Sequence, residues 1–164
     1  MRILLCIIIA SALAGLPACE CKEESQSADP TQSFLEKGQA AFGQAKYDQA
    51  LQAYDEALKK EPRSAVIHNL KGMAYRFQYN QLRSPDLKEK EIAAFKKAIE
   101  MDPKFIPALV NLGSTYYFSD KKKEAAEQFK RALEIMPQHP EAEQPKKMIA
   151  EAEEDTPKEE EKTE

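Results

Sequence analysis

Residues 111–137 read NLGSTYYFSDKKKEAAEQFKRALEIMP, and this stretch decides the fold. Leu112, Tyr116 and Tyr117 recur at helical spacing before Ser119-Asp120, and Ala125, Ala126, Phe129, Ala132 and Leu133 do so after it. The stretch therefore predicts two short helices folded back to back, with Pro137 stopping the second. Asp120 is placed to cap that second helix, its carboxylate accepting from unpaired backbone N–H groups. Helices approach closely only where a small residue faces a large one. Gly113, Ala125 and Ala132 thus mark the seam against Tyr116 and Phe129.

The same marks recur upstream. Gly38, Ala50, Tyr54, Ala57 and Pro62 match in type and spacing, as do Gly72, Tyr75, Phe95, Ala98 and Pro103. The glycine-to-alanine interval is 19 residues in the outer units (38 to 57, 113 to 132) and 26 in the middle one (72 to 98). Seven extra residues therefore lie inside the middle unit, and YNQLRSP, residues 79–85, is where they are expected to enter between its helices. Small, aromatic, small and proline marks at a period near 34 resemble the tetratricopeptide repeat. The resemblance implies an all-α, right-handed superhelical stack of three helix-turn-helix units over residues 31–64, 65–105 and 106–139. A capping helix over about 144–154 would complete a domain at 31–154.

Composition agrees with an all-α chain: Ala, Glu, Lys, Gln and Leu dominate, and no alternating β pattern occurs. The formal charge of −4 is unevenly spread. Residues 31–139 hold 18 Lys+Arg against 14 Asp+Glu, whereas residues 140–164 hold 4 against 10. No concentrated basic stripe points to nucleic acid.

The chain opens with Met1-Arg2 and an uncharged apolar run over residues 3–16, too short for a typical membrane span and suited to a signal segment over residues 1–18. Leu16-Pro17-Ala18-Cys19 follows, which resembles the lipobox of bacterial lipoproteins. The resemblance implies cleavage before Cys19, lipid on Cys19 and attachment to the cell envelope, at the outer membrane facing the periplasm in a Gram-negative cell. An ordinary secreted protein cut elsewhere, or an uncleaved anchor, are the alternatives. Cys21 is left over, and geometry disfavours a Cys19–Cys21 bridge, which would close a very tight ring. Residues 19–30 then read as lipidated cysteine and polar tether.

Along the body, Asp29-Pro30 suits a helix start. Ser84-Pro85-Asp86 suits another, predicting a long fourth helix from about Pro85 to Met101. Glu91 falls where the other units have Ala50 and Ala125. Either that helix tips outward, or Glu91 finds a basic partner, or Ala94 takes over the contact. Met148, Ile149 and Ala152 form one apolar stripe for the capping helix, and Pro145 predicts a start or kink there. Residues 155–164, DTPKEEEKTE, lack apolar anchors and are expected to be disordered.

Chemistry is sparse. His68 and His139 read as ordinary polar positions without metal-ligand companions, and neither a phosphate loop nor a nucleophile elbow occurs. The expectation is a non-enzyme without cofactor or metal. The family's groove positions, carried over, imply a peptide-binding surface. It comprises Leu35, Gln39 and Phe42 from the first unit and Asn69, Met73, Arg76 and Phe77 from the second. The third adds Val110, Asn111, Ser114, Tyr117 and Phe118. Arg76 and Asn111 would hold a backbone carbonyl or an acid. Pro107 and Asn111 stand where chaperone-tail binders carry basic clamp residues, which argues against that specialisation. The implied function is a membrane-anchored adaptor, monomeric, that tethers another protein or peptide in an envelope complex. A self-associating structural subunit and a soluble periplasmic protein without lipid are the alternatives.

Overall fold

The structure, a computed structural model, describes residues 29–138 and 142–154. The signal segment, Cys19, most of the tether, His139 and the acidic segment 155–164 lie outside the described residues. Among the described residues there are seven helices and no strand: α1 (Pro30–Gly43), α2 (Tyr47–Lys60), α3 (Ala65–Leu82), α4 (Pro85–Met101), α5 (Ile106–Tyr117), α6 (Lys122–Ile135) and α7 (Glu143–Glu154). Each packs chiefly on its chain neighbours, giving three hairpins stacked in series with α7 closing the row.

The seams are built as the small–large pattern requires. A Cβ added to Gly72 would lie 2.5 Å from the Phe95 ring, and one on Gly113 would lie 2.7 Å from the Phe129 ring. Gly38 meets the Tyr54 ring in the same way. Tyr54, Phe95 and Phe129 are almost wholly buried, flanked by Ala57, Ala98 and Ala132. Around them lie two apolar clusters, one joining α1, α2 and α3, the other joining α4, α5 and α6. Met148 and Ile149 of α7 pack against the second.

Helix ends follow local chemistry, with one correction. Asp29 caps α1, its carboxylate accepting from the Thr31 N–H at 3.0 Å, and Pro30 fills the first turn. Asp120 does not cap α6. It takes a left-handed backbone conformation, φ 60°, and closes α5 instead. The Asp120 N–H donates to the Tyr117 carbonyl at 3.1 Å, and the Lys121 N–H donates to the Tyr116 carbonyl at 2.9 Å. Ala45 and Lys46 make the same pair of bonds at the end of α1. This is the Schellman closure, and it needs a residue at positive φ, which Asp tolerates better than most. The helix-ending requirement therefore claimed Asp120 before the next helix could. Ser84 likewise occupies the cap position of α4 without a side-chain cap bond.

The seven extra residues of the middle unit become helix. α3 has 18 residues and α4 has 17, against 14 and 14 in the first hairpin and 12 and 14 in the third. Only Arg83 and Ser84 lie between α3 and α4, and Arg83, at φ 56°, makes the turn. The lengthening falls on both helices, where the sequence pattern assigned it to the connection and α4. Of the start or kink expected near Pro145, the structure shows the start: Pro145 is the third residue of α7, within the first turn, where a missing N–H costs no helical bond.

Candidate peptide-binding face

The odd-numbered helices lie side by side and bond to one another along one face of the stack. Phe42 of α1 meets Phe77 of α3 edge-on, centroids 5.2 Å apart, and Tyr47 stacks on Phe77 at 5.9 Å. Between α3 and α5, the Asn111 amide donates to Asn69 Oδ1 at 3.0 Å. Between α5 and α7, the Tyr117 hydroxyl donates to Glu151. Of the residues read from sequence as a groove, these contacts bring Phe42, Phe77, Asn69, Asn111 and Tyr117 into one row, and the residues of that reading play unequal roles.

Arg76 is committed internally. Its Nη1 donates to Asn111 Oδ1 at 3.0 Å, and its Nη2 donates to the Asn111 carbonyl at 2.7 Å and to the Thr115 hydroxyl at 2.8 Å. Its Nε donates to Glu91 Oε1 at 2.8 Å, and its guanidinium stands 5.0 Å from the centroid of the Phe95 ring. The acid and the carbonyl expected from a ligand are supplied by the protein's own Glu91 and Asn111. Glu91 is 0% exposed. Its Oε1 also accepts from Thr115 at 2.6 Å, and Lys88 Nζ lies 2.9 Å from Oε2, off the line of a hydrogen bond, so Oε2 is charge-paired without one. Glu91 therefore finds basic partners rather than tipping outward, while Ala94 is buried beside it. A buried carboxylate left without such partners would be costly.

The other positions divide by exposure. Leu35, Phe42, Met73 and Val110 are half-buried supports of the two apolar clusters, and Asn69 is buried. Ser114 is half-buried, its hydroxyl donating to the Val110 carbonyl at 2.9 Å. Gln39 is exposed, Phe77 is 41% exposed and Phe118 is 78% exposed. The sequence reading missed Val66, 49% exposed, although it stands three residues before Asn69 and so begins the Asn69–Met73–Phe77 stripe. It also missed Thr115, whose hydroxyl role no spacing announces. His68 sits against the Pro62 carbonyl at 3.3 Å, and burial, outweighing that hydrogen bond, holds its pKa below the ordinary value.

Comparison with known proteins gives the arrangement its family. Tetratricopeptide repeat models match residues 35–80 and 106–139, leaving unmatched most of the stretch lengthened in the middle unit. The Hsp70-Hsp90 organizing protein of Triticum aestivum is 30% identical over 108 residues, 65% of this chain and 17% of that protein. Mitochondrial import receptor subunit TOM70 of Rattus norvegicus is 33% identical over 110 residues, 63% of this chain and 17% of that protein. The chain therefore spans about a sixth of these relatives. Among solved structures, the first such domain of Spaghetti (RPAP3), bound to an HSP90 peptide, superposes with TM-score 0.66 at 22% identity, covering 76% of this chain and 96% of that one. The TPR2B domain of yeast Sti1, in a complex with an Hsp70 peptide, gives 0.64 at 21%, covering 77% and 98%. Repeated glycine–aromatic seams, serial helical hairpins and these matches agree: residues 35–80 and 106–139 are tetratricopeptide repeats, and the stack that carries them has the fold of tetratricopeptide domains.

Proposed function

We propose that this protein is a non-enzymatic adaptor, anchored to a bacterial envelope membrane through lipid on Cys19, that holds a partner protein on the face of its odd-numbered helices. The observation that carries the binding half is the exposure of large apolar side chains along that face, Val66, Phe77 and Phe118, beside the polar Gln39. Aromatic rings offer contact area at small ordering cost. Fold neighbours hold HSP90 and Hsp70 peptides, which favours a peptide segment as the ligand class. The anchoring half is supported by Leu16-Pro17-Ala18-Cys19 after an apolar leader.

Two variants expressed in a bacterial host that processes such leaders test the two halves separately. Cys19→Ser is expected to move the protein from the membrane fraction to the soluble fraction, because the acyl chains supply attachment. Firm retention would reject the lipid anchor. Phe118→Ser is expected to leave fractionation unchanged and weaken partner capture by roughly tenfold, the size of one interface anchor. Unchanged capture would remove Phe118 from the binding face.

A further inference from the structure

The lengthened second hairpin overhangs its neighbours, and the overhang makes a cleft. About 550 Å³ opens between the last turns of α3, the start of α4 and the end of α5. Arg76, Arg83 and Lys88 line it against one carboxylate, Glu91, which Arg76 and Lys88 already share. Two positive charges are therefore in excess. Arg83 is presented at the rim by its left-handed backbone, φ 56°, and among the described residues no carboxylate pairs with it. It lies 5.9 Å from the centroid of the Tyr79 ring, and Lys88 Nζ lies 4.3 Å from the same centroid. Phe118 and Ser119 form the opposite wall.

The same chain carries a counter-charge that starts nearby. The Tyr117–Glu151 bond sets the last turns of α7 beside the end of α5, so α7 finishes next to the cleft wall. From there the sequence continues as DTPKEEEKTE, with five acids against two lysines. Packed helices stand ~8–10 Å apart, which puts the cleft one to two helix spacings from Glu154. Extended chain covers ~3.3–3.6 Å per residue, so Glu159, Glu160 and Glu161 can reach it. We propose that residues 155–164 dock in this cleft, their glutamates against Arg83 and Lys88. The seven extra residues of the middle unit then have a purpose: they build an internal acidic-segment receptor at the edge of the partner-binding face. Rivals for those glutamates are Lys121 and Lys123 at the basic start of α6, and Lys130 of α6, which already pairs with Glu153 of α7 at 2.7 Å.

Zero-length carbodiimide crosslinking of the full-length protein, with the linked peptides mapped by mass spectrometry, separates these possibilities without any partner protein. The expected product is a monomer in which Lys88 is joined to Glu159, Glu160 or Glu161. Its yield should fall at least about threefold when salt is raised to about 1 M, where the Debye length is near 3 Å. Arg83→Gln, a change at an exposed turn, should also reduce it at low salt. Links from those glutamates to Lys121, Lys123 or Lys130 with none to Lys88 would overturn the proposal. So would a Lys88 link found only between two chains, or a yield indifferent to both salt and Arg83→Gln. A Glu159→Gln/Glu160→Gln/Glu161→Gln variant, altered outside the helical stack, must lose the Lys88 product if the assignment holds.

Discussion

Three glycines carry the fold because each faces a ring. Adding one methyl at Gly113 brings a carbon to 2.7 Å of Phe129, which is wholly packed and cannot retreat. Gly113→Ala should therefore destabilise by about 1–3 kcal/mol, although alanine is the better helix former. Gly43 has nothing within 4 Å of its added Cβ, so Gly43→Ala should be neutral or stabilising by up to about 1 kcal/mol. Chemical denaturation of both variants checks the contrast, and equal effects would contradict the seam. His68 makes a second prediction. Its pKa is lowered chiefly by burial, with Lys71 and Lys97 pushing the same way against the Pro62 carbonyl and Glu100. Below about pH 6.5 the unfolded chain binds the proton more readily than the folded one. This contribution is complete above that pH and is lost as pH falls toward the lower folded value. The melting temperature of the parent should thus drop more steeply from pH 7 to 5.5 than that of His68→Asn. Parallel curves would show that His68 is not the cause.

At the scale of elements, the middle hairpin is held by a charge where its neighbours use alanine. Glu91 ties α4 to α3 through Arg76 and to α5 through Thr115. Glu91→Ala restores the residue found at Ala50 and Ala125, yet it strands Arg76, and should cost about 3–5 kcal/mol. Adding Arg76→Met should then cost much less than the sum of the two single changes, with a coupling of about 0.5–3 kcal/mol. Additive losses by denaturant unfolding would dismiss the pairing. The elements themselves were legible in sequence, because the glycine, aromatic and alanine marks are packing requirements that leave little choice. What stayed hidden depended on side-chain pairing and on competing helix ends. Asp120 could serve α5 or α6, and only the closed turn shows which. Arg76 reads as a free cation until Glu91 and Asn111, 15 and 35 residues away, fold against it. The extra residues could be counted but not placed, since helix-forming residues continue on both sides of Arg83.

At the scale of the whole molecule, the described residues form a short row of hairpins whose edge-on rings and polar ladders align four helices on one face. That Phe42, Asn69, Phe77, Asn111 and Tyr117 fall in one row was readable, because carrying family positions onto α1, α3 and α5 requires only the register set by Gly38, Gly72 and Gly113. Which members remain open to a partner was not, since Leu35, Met73 and Val110 share that register yet support the interior. The central claim, that a partner protein sits on this face, is met most directly by photo-crosslinking in intact cells. A photoreactive residue is placed at Phe118 in one sample and at Glu127, exposed on the even-numbered α6, in another. The account predicts a discrete protein adduct from position 118 and none from position 127. Equal adducts from both, or an adduct from position 127 alone, would contradict it.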